Sequence, residues 1–341
     1  MTRFRTMIEL LLLSSFFLLP FARLKLTLAG LPIYALELPI MIAGIIFLSV
    51  LIRDRKLPHI PLFSDRPLAA GIILFALGAA ISSAMNPFSL SGLGLLKSWI
   101  FFPIAGSALW SAARGRSERL FVAWLISAAG IASAALLLPP ESSLTYDGRL
   151  AAWYASPNFL AIAVAPGILI GAHFVLSLLA AKRSCPARVI LAALAVSISS
   201  VALFLTHSYG AWAGTALALA ALFGSAASRK QRAMLFVLLA AAASVFMLSE
   251  YGSEKWHSLT SFDERSSLSS RIMIWRSAAM MIADHPFSGI GIGRFQEVYL
   301  DYQRFFPPYL EWAVPEPHSL PLALWLNTGL IGLIGFALII G

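Results

Sequence analysis

The chain has 341 residues, of which 59% are hydrophobic and 12% are charged, and it carries a net charge of +9. So few charges exclude an ordinary soluble domain, in which about a quarter of the residues are charged. The apolar residues form ten runs that are long enough to cross about 30 Å of hydrocarbon. These runs are 7–22, 35–52, 67–84, 93–112, 120–138, 157–180, 189–206, 210–227, 233–249 and 321–341.

Because backbone groups in lipid must be hydrogen-bonded within the protein, the runs predict an all-α, polytopic membrane protein with about ten transmembrane helices. We expect a nine-helix bundle over 1–249, a loop domain over 250–320 and a tenth helix over 321–341. The first run lacks a cleavage site of small residues, so it is interpreted as a helix rather than a signal peptide. No polar flank follows the tenth run, which favours a chain truncated at Gly341.

The basic residues are distributed asymmetrically. With a cytoplasmic N-terminus, the inner segments hold 15 Lys and Arg residues, whereas the short outer loops hold only Arg23, Lys25 and Arg149. This positive-inside pattern predicts that the loop domain lies on the outer face. Topology accounts for the basicity, so no nucleic-acid partner is expected. The single cysteine, Cys185, falls in an inner loop, and the outer loop has none to form a disulfide.

The loop domain differs sharply from the rest of the chain, since it holds nine of the sixteen acidic residues together with many aromatic ones. Within 266–284, apolar residues recur at helical spacing. We therefore expect a mostly helical loop that caps the bundle. Gly289-Ile290-Gly291-Ile292-Gly293 follows a predicted helix rather than a strand, which favours a close-packed turn over a phosphate-binding one.

Motif patterns typical of hydrolytic and metal sites do not occur, so neither a metal nor a cofactor is expected. The outer arginines Arg149, Arg271 and Arg294 have planar groups suited to phosphate oxygens, although each could instead reach toward lipid headgroups. Glu37 and Lys97 fall near the outer ends of their helices. They could form a structural pair, or Lys97 could join an anion site that opens to the outer leaflet.

A lone histidine, His318, precedes the last apolar run at the expected lipid–water boundary. Histidine titrates near neutral pH and can accept a proton there. The alternative is a histidine that only caps a helix. His207, in a tight outer turn, is interpreted as a turn residue.

The motif His318-Ser319, nine residues, Gly329-Leu330-Ile331-Gly332 resembles the O-antigen ligase and polymerase superfamily of bacterial membrane glycan transferases. Three further stretches resemble elements of that family: Arg271-x-x-x-Trp275, residues 284–291, and Arg149 ahead of Ser156-Pro157-Asn158. The chain departs from the family pattern at Asn327, where many members have an acid, and at Tyr209, where relatives often have arginine. Members usually have about twelve helices, so fold-level analogy also implies a longer protein.

The resemblance implies a metal-independent glycosyltransferase of the bacterial inner membrane with a periplasmic loop. Its donor would be a glycan on undecaprenyl diphosphate, and its acceptor a sugar hydroxyl of the lipid A–core. His318 would act as the base or orient the acceptor, while Arg149 and Arg271, with Lys97 or Arg294 in addition, would bind the diphosphate. Membrane lipids would surround it.

Three other activities stay open at the level of sequence. A polymerase or a protein O-oligosaccharyltransferase would share the donor and differ only in the acceptor. A transporter of polyprenyl-linked sugars ranks last, because it predicts internal repeats and a charged site at mid-membrane. The sequence shows no convincing repeat, and its distinctive charges gather outside the bilayer.

Overall fold

The computed structural model describes residues 2–21, 24–28, 31–54, 65–87, 89–113, 115–180, 185–226, 232, 237, 244, 247–248, 251–252, 267–307 and 314–341. Helices α1 to α10 are Thr2–Phe17, Leu38–Asp54, Arg66–Met85, Leu90–Leu96, Phe102–Ala113, Ser117–Leu137, Pro140–Ser143, Pro157–Ala180, Pro186–Leu205 and Tyr209–Ala226. Helices α11 to α13 are Ser267–Asp284, Phe295–Gln303 and Leu320–Ile340. Strands β1, Lys25–Leu28, and β2, Leu31–Tyr34, form a two-stranded sheet.

Seven helical segments in the described part of the chain are long and apolar enough to cross a membrane, as expected for a multi-pass membrane protein. One of them, Leu90–Ala113, consists of α4, a π-helical segment at Lys97–Phe101, and α5. The seven segments match the predicted runs at 35–52, 67–84, 93–112, 120–138, 157–180, 189–206 and 321–341 to within a few residues. The run at 210–227 forms α10, Tyr209–Ala226, whose apolar part, Tyr209–Gly224, is shorter than the seven spans. The predicted run 233–249 lies largely outside the described residues.

The first helix begins and ends earlier than the run 7–22 predicted. It spans Thr2–Phe17 and is followed by a short 3₁₀ turn, Leu19–Phe21. The early end has a local cause, because Pro20 has no backbone N–H to continue the helical hydrogen bonds.

The chain divides into two compact units. Unit 1 comprises Met1–Leu26, Ile33–Arg53 and Ala113–Met247, and unit 2 comprises Thr27–Pro32, Asp54–Ala112 and Leu248–Gly341. The predicted domain boundaries at 249 and 320 stay a prediction.

The core of unit 1 lies between helices α6, α8 and α9. Ile131, Leu160 and Val164 are fully buried there. Gly167 and Gly171 of α8 face Ala128 of α6 and Val196 of α9 so closely that an added Cβ would collide with those side chains. Small residues at such contacts let membrane helices approach each other, so van der Waals packing holds this bundle together.

In unit 2, helices α3 and α13 pack through facing glycines. A Cβ added at Gly71 would lie 2.8 Å from the carbonyl oxygen of Gly335, and one at Gly78 would collide with the backbone of Gly332. Gly332, the second glycine of the histidine motif, is therefore a helix-packing residue.

The last helix is interrupted at Gly329, whose φ of 66° and ψ of −177° are not helical. The loop segment that follows α11 forms hydrogen bonds with the backbone groups that this break leaves unpaired. Leu326 O accepts from Ile290 N at 2.8 Å, and Leu330 N donates to Pro286 O at 3.2 Å. Unpaired backbone groups are costly, so these two bonds explain how an interrupted helix is tolerated here.

Helices α11 and α12 share a small core with α13. Met281, Phe295, Tyr299 and Leu326 are buried together in it. The predicted helix at 266–284 is confirmed as Ser267–Asp284. In unit 2, residues 267–307 of the loop domain thus pack on the first half of the last helix.

Candidate active site

The loop helix α11 holds the segment that carries the candidate base. Trp275 Nε1 donates a hydrogen bond of 3.0 Å to the carbonyl oxygen of Pro317, the residue just before His318. Arg271 lies four residues before Trp275, so both side chains are on the same face of α11. The Arg-x-x-x-Trp element and the histidine motif, recognised separately in the sequence, are thus joined in one unit.

His318 is exposed, and its backbone is strained. Its φ of 52° lies in the left-handed region, which few residues other than glycine adopt. Such a conformation costs about 1–3 kcal/mol and is found most often at functional sites. Buried Val314 and Pro317 precede the histidine and anchor the segment. The local fold therefore presents this side chain at the surface at some cost in stability.

The glycine segment 289–293 forms a close-packed turn, as predicted. Gly289, Gly291 and Gly293 have φ values of 64°, 99° and 72°, and an added Cβ at Gly291 would lie 2.8 Å from Asn86. The stretch Asn86–Gly92, which joins α3 to α4 and includes the start of α4, supports it, since Ser91 Oγ donates to Gly293 O at 2.8 Å. This uncharged stretch is more than a connection, because it helps fix the glycine segment.

Asn327, at a position where many family members have an acidic residue, has a structural role. It is 1% exposed; Oδ1 accepts from Gly293 N at 2.7 Å, and Nδ2 donates to Ala323 O at 2.7 Å. The residue thus ties the glycine segment to the last helix. The two glycines of the motif also have packing roles, since an added Cβ at Gly329 would collide with Phe287 O.

The remaining cationic candidates of unit 2 differ in their surroundings. Arg271 is exposed on α11. Arg294 is 18% exposed, donates to Ile290 O at 3.2 Å and pairs with Glu297 at 3.4 Å. Lys97 donates to Pro32 O at 2.6 Å. Of the three, Arg271 has the side chain most open to a ligand. Arg294 also stabilises the glycine turn, through its bond to Ile290 O.

A half-buried acid lies two residues before the histidine. Oε2 of Glu316 is shielded from solvent and accepts no hydrogen bond from the described residues. Burial raises the pKa of Glu316 above its ordinary value of 4.5, because the charged form loses solvation.

Unit 1 contains a second polar cluster, which is centred on Arg149. Its Nε donates to Thr206 O at 3.0 Å, Nη2 donates to Asn158 Oδ1 at 3.4 Å, and Nη1 lies 3.8 Å from Asp147 Oδ2. The backbone is fixed as well, since Leu150 N donates to Leu205 O at 2.8 Å. Arg149 is therefore held in one orientation, with 19% of its side chain exposed.

Three stretches of sequence meet at this cluster. Asn158 comes from the start of α8, and Ser208, from the turn between α9 and α10, donates to Asn158 Oδ1 at 2.9 Å. In the described part of the chain, the non-glycine residues with positive φ are Ala152, His207 and His318. Two of these three strained residues lie beside the Arg149 cluster, and the third is the candidate base.

Sequence reasoning missed several contributors to the two clusters. Asn158 stands out in the sequence only as part of a family element, and neither Ser208 nor the stretch Asn86–Gly92 carries a local signal of its contacts. The contacts of Trp275 and Asn327 join residues 42 and 34 positions apart, and no local pattern reports such pairs. The described residues include no group of three or more His, Cys, Asp or Glu side chains placed to hold a metal ion.

Comparison with known families gives one match. Residues 194–337 match the family model described as O-antigen ligase, a range that includes the glycine turn, the loop helix and the histidine motif. A search among curated proteins returned no match. The resemblance drawn from His318 and the paired glycines is thereby confirmed, because the part of the chain that carries them is similar to the O-antigen ligase family of glycosyltransferase-type membrane proteins.

Proposed function

We propose that this protein transfers a glycan from undecaprenyl diphosphate to a sugar hydroxyl of the lipid A–core on the periplasmic face of the bacterial inner membrane. The observation that carries the proposal is the hydrogen bond from Trp275 to Pro317. It couples the helix that carries an exposed arginine to the segment that carries an exposed, strained histidine. Attack by a hydroxyl on a diphosphate-activated sugar requires a base and a cation, and this contact belongs to the unit that supplies both.

His318 is the proposed general base. A sugar hydroxyl is a poor nucleophile at neutral pH, and a positioned base contributes about 10²–10⁴-fold to such a reaction. The hydroxyl oxygen attacks the anomeric carbon, His318 takes the hydroxyl proton, and the bond from that carbon to the diphosphate oxygen breaks. The lipid diphosphate leaves with the bonding electron pair.

Arg271 in unit 2 and Arg149 in unit 1 are each proposed, separately, as a ligand for the diphosphate. Charge develops on the leaving oxygen as the bond breaks, and a guanidinium held in place stabilises that charge. Arg149 meets the condition of a fixed orientation, because its Nε and Nη2 are bonded to Thr206 and Asn158. Lys97 and Arg294 are further candidates, although the carbonyl oxygens of Pro32 and Ile290 already accept bonds from them.

An apolar cleft supports a donor that carries a lipid. It has a volume of about 300 Å³ and lies within unit 2, where its lining includes Phe75, Trp99, Leu320 and Phe336. Leu320 is only two residues from His318, so the cleft begins near the candidate base. A polyprenyl chain has the apolar surface that such a cleft would bury.

The test is complementation of a deletion strain, read on a lipopolysaccharide gel. His318→Ala should leave rough lipopolysaccharide and accumulated lipid-linked polymer, while the protein remains in the membrane at a normal level. The matched control is His173→Ala, since His173 is exposed on α8 and should be dispensable. Full activity of His318→Ala would overturn the mechanism. Ladders of single repeats from the deletion strain would identify a polymerase instead.

A second variant tests the contact itself. Trp275→Phe keeps the ring but removes the N–H that binds Pro317 O, so the histidine segment loses one anchor. We expect kcat to fall about tenfold, which corresponds to one hydrogen bond, with the donor KM and the melting temperature nearly unchanged. An unchanged kcat would show that this contact does not position the base.

A further inference from the structure

Asn158 occupies the centre of the Arg149 cluster. Its side-chain oxygen accepts two hydrogen bonds, from Arg149 Nη2 at 3.4 Å and from Ser208 Oγ at 2.9 Å. Ser208 is 8% exposed, whereas Asn158 itself is exposed at the start of α8. One amide oxygen thus links a surface guanidinium to a nearly buried hydroxyl.

These two contacts fix which way the amide points. Arginine can only donate, and the Ser208 hydroxyl donates to the same atom, so that atom must be the oxygen rather than the nitrogen. Nδ2 consequently faces away from both neighbours. It donates no hydrogen bond to the part of the chain that the structure describes.

Arg149 has donors left over in the same place. Nε is bonded to Thr206 O, and one proton of Nη2 is bonded to Asn158. Among the described residues, the one partner of Nη1 is Asp147, an ion pair at 3.8 Å with a carboxylate whose side chain is 39% exposed. Because Nη2 lies 3.4 Å from the amide oxygen, Nη2 and Nδ2 are within about 6 Å of each other. Two oxygens of one phosphate can span that separation with bonds of about 2.9 Å.

We propose that Asn158 is a substrate-binding residue, whose amide nitrogen donates to the same phosphate group as Arg149, and that Ser208 is the positioning residue that sets the amide. The inference rests on the proposed function for the identity of the phosphate, which belongs to a lipid-linked diphosphate. It adds two residues, from α8 and from the turn before α10, to the arginine. Neither has a group that exchanges protons near neutral pH, so their role is recognition.

The competing explanation is purely structural. Asn158 could serve only to hold Arg149, with nothing bound to its nitrogen. Substitution by aspartate separates the two explanations. The aspartate side chain would keep an oxygen that accepts from Arg149 and Ser208, so a structural role predicts that Asn158→Asp works better than Asn158→Ala. A phosphate ligand predicts the reverse order, because aspartate has no N–H to donate and its negative charge repels phosphate.

The experiment measures binding of undecaprenyl diphosphate to the purified full chain in detergent micelles, together with the donor KM. Asn158→Ala should weaken binding about tenfold, the size expected for one hydrogen bond to a charged group. Asn158→Asp should weaken it further, and Ser208→Ala about threefold, since the amide keeps one of its two donors. Ser142→Ala is the control, because this exposed serine of the same loop bonds only to Pro139 O; it should bind normally.

Each outcome decides the proposal. Binding that is stronger in Asn158→Asp than in Asn158→Ala overturns the proposal and shows that Asn158 only holds Arg149 in place. Equal competition by phosphatidylglycerol also overturns it, because the site would then accept any lipid phosphate. The proposed function fails separately, if Arg149→Ala or His318→Ala retains full transfer activity. All variants must have normal melting temperatures, so that a loss of binding cannot be attributed to unfolding.

Discussion

Arg149 shows how one residue can be both fixed and available for a ligand. Its guanidinium is bonded through Nε and Nη2, yet the one partner of Nη1 among the described residues is a carboxylate at 3.8 Å. An ion pair at that distance, with one partner 39% exposed, contributes little to stability. Asp147 is therefore placed to compete with a bound anion rather than to secure the arginine.

We predict that Asp147→Asn strengthens donor binding. The amide keeps an oxygen to accept from Thr145, so the turn should be retained while the negative charge is removed. The donor KM should fall about two- to threefold, in line with the small energy of an exposed ion pair. Steady-state kinetics over a series of donor concentrations measure this change. A KM that rises would mean that Asp147 orients the arginine instead.

Glu316 gives a prediction about pH. Its raised pKa means that the folded protein holds this proton more tightly than the unfolded chain does. Its contribution to stability is thus greatest at low pH and is lost as the pH rises from 4.5 through the raised value. Glu316→Gln does not titrate, so its melting temperature should exceed that of the unmodified protein by a margin that grows over this interval. Parallel melting curves across that pH range would contradict the prediction.

At the scale of elements, the break in α13 connects the loop domain to the membrane helix. Pro286 and Ile290 supply the hydrogen bonds that the helix lacks around Gly329. Trp325 Nε1 adds a bond of 2.8 Å to Pro286 O. The position of the histidine segment at the start of α13 therefore depends on how the loop inserts into this break.

We predict that Gly329→Ala destabilises the protein by about 3 kcal/mol or more, because its φ of 66° disfavours a side chain and the added methyl would collide with Phe287 O. The control is Gly94→Ala, since a Cβ added at Gly94 in α4 meets no atom within 4 Å. That change should be neutral or add up to about 1 kcal/mol of helix stability. Thermal unfolding in detergent compares the two. Equal melting temperatures would show that the protein does not need glycine at position 329 for stability.

The sequence could predict what is local and periodic. Seven membrane helices and the loop helix 267–284 were predictable, because each depends on the composition or spacing of a continuous run. The contact of Asn327 with Gly293 was not, and neither was the bond from Trp275 to Pro317. Such bonds form only after helices pack, and no local pattern reports which distant residue an asparagine or a tryptophan will bind. The histidine was found only because a spacing motif surrounds it.

At the scale of the whole molecule, the proposed chemistry depends on the orientation of the chain in the membrane. It depends on an excess of basic residues, 15 against three, on one set of predicted loops. The active-site proposal requires the loop domain and Arg149 to face the periplasm, where a lipid-linked glycan would be presented. An inverted chain would place both polar clusters on the wrong face.

The chain contains its own reporter of orientation, because Cys185 is its single cysteine and is exposed at the start of α9. We predict that a membrane-impermeant maleimide labels Cys185 in inverted vesicles but not in intact cells with a permeabilised outer membrane. In a Cys185→Ser background, Ser142→Cys should show the opposite pattern, since Ser142 is exposed in the loop that bears Arg149. Labelling of Cys185 from the outside would show that the orientation is the reverse of the predicted one. The proposed roles of His318 and Arg149 would then fail, because no substrate would be present on their side of the membrane.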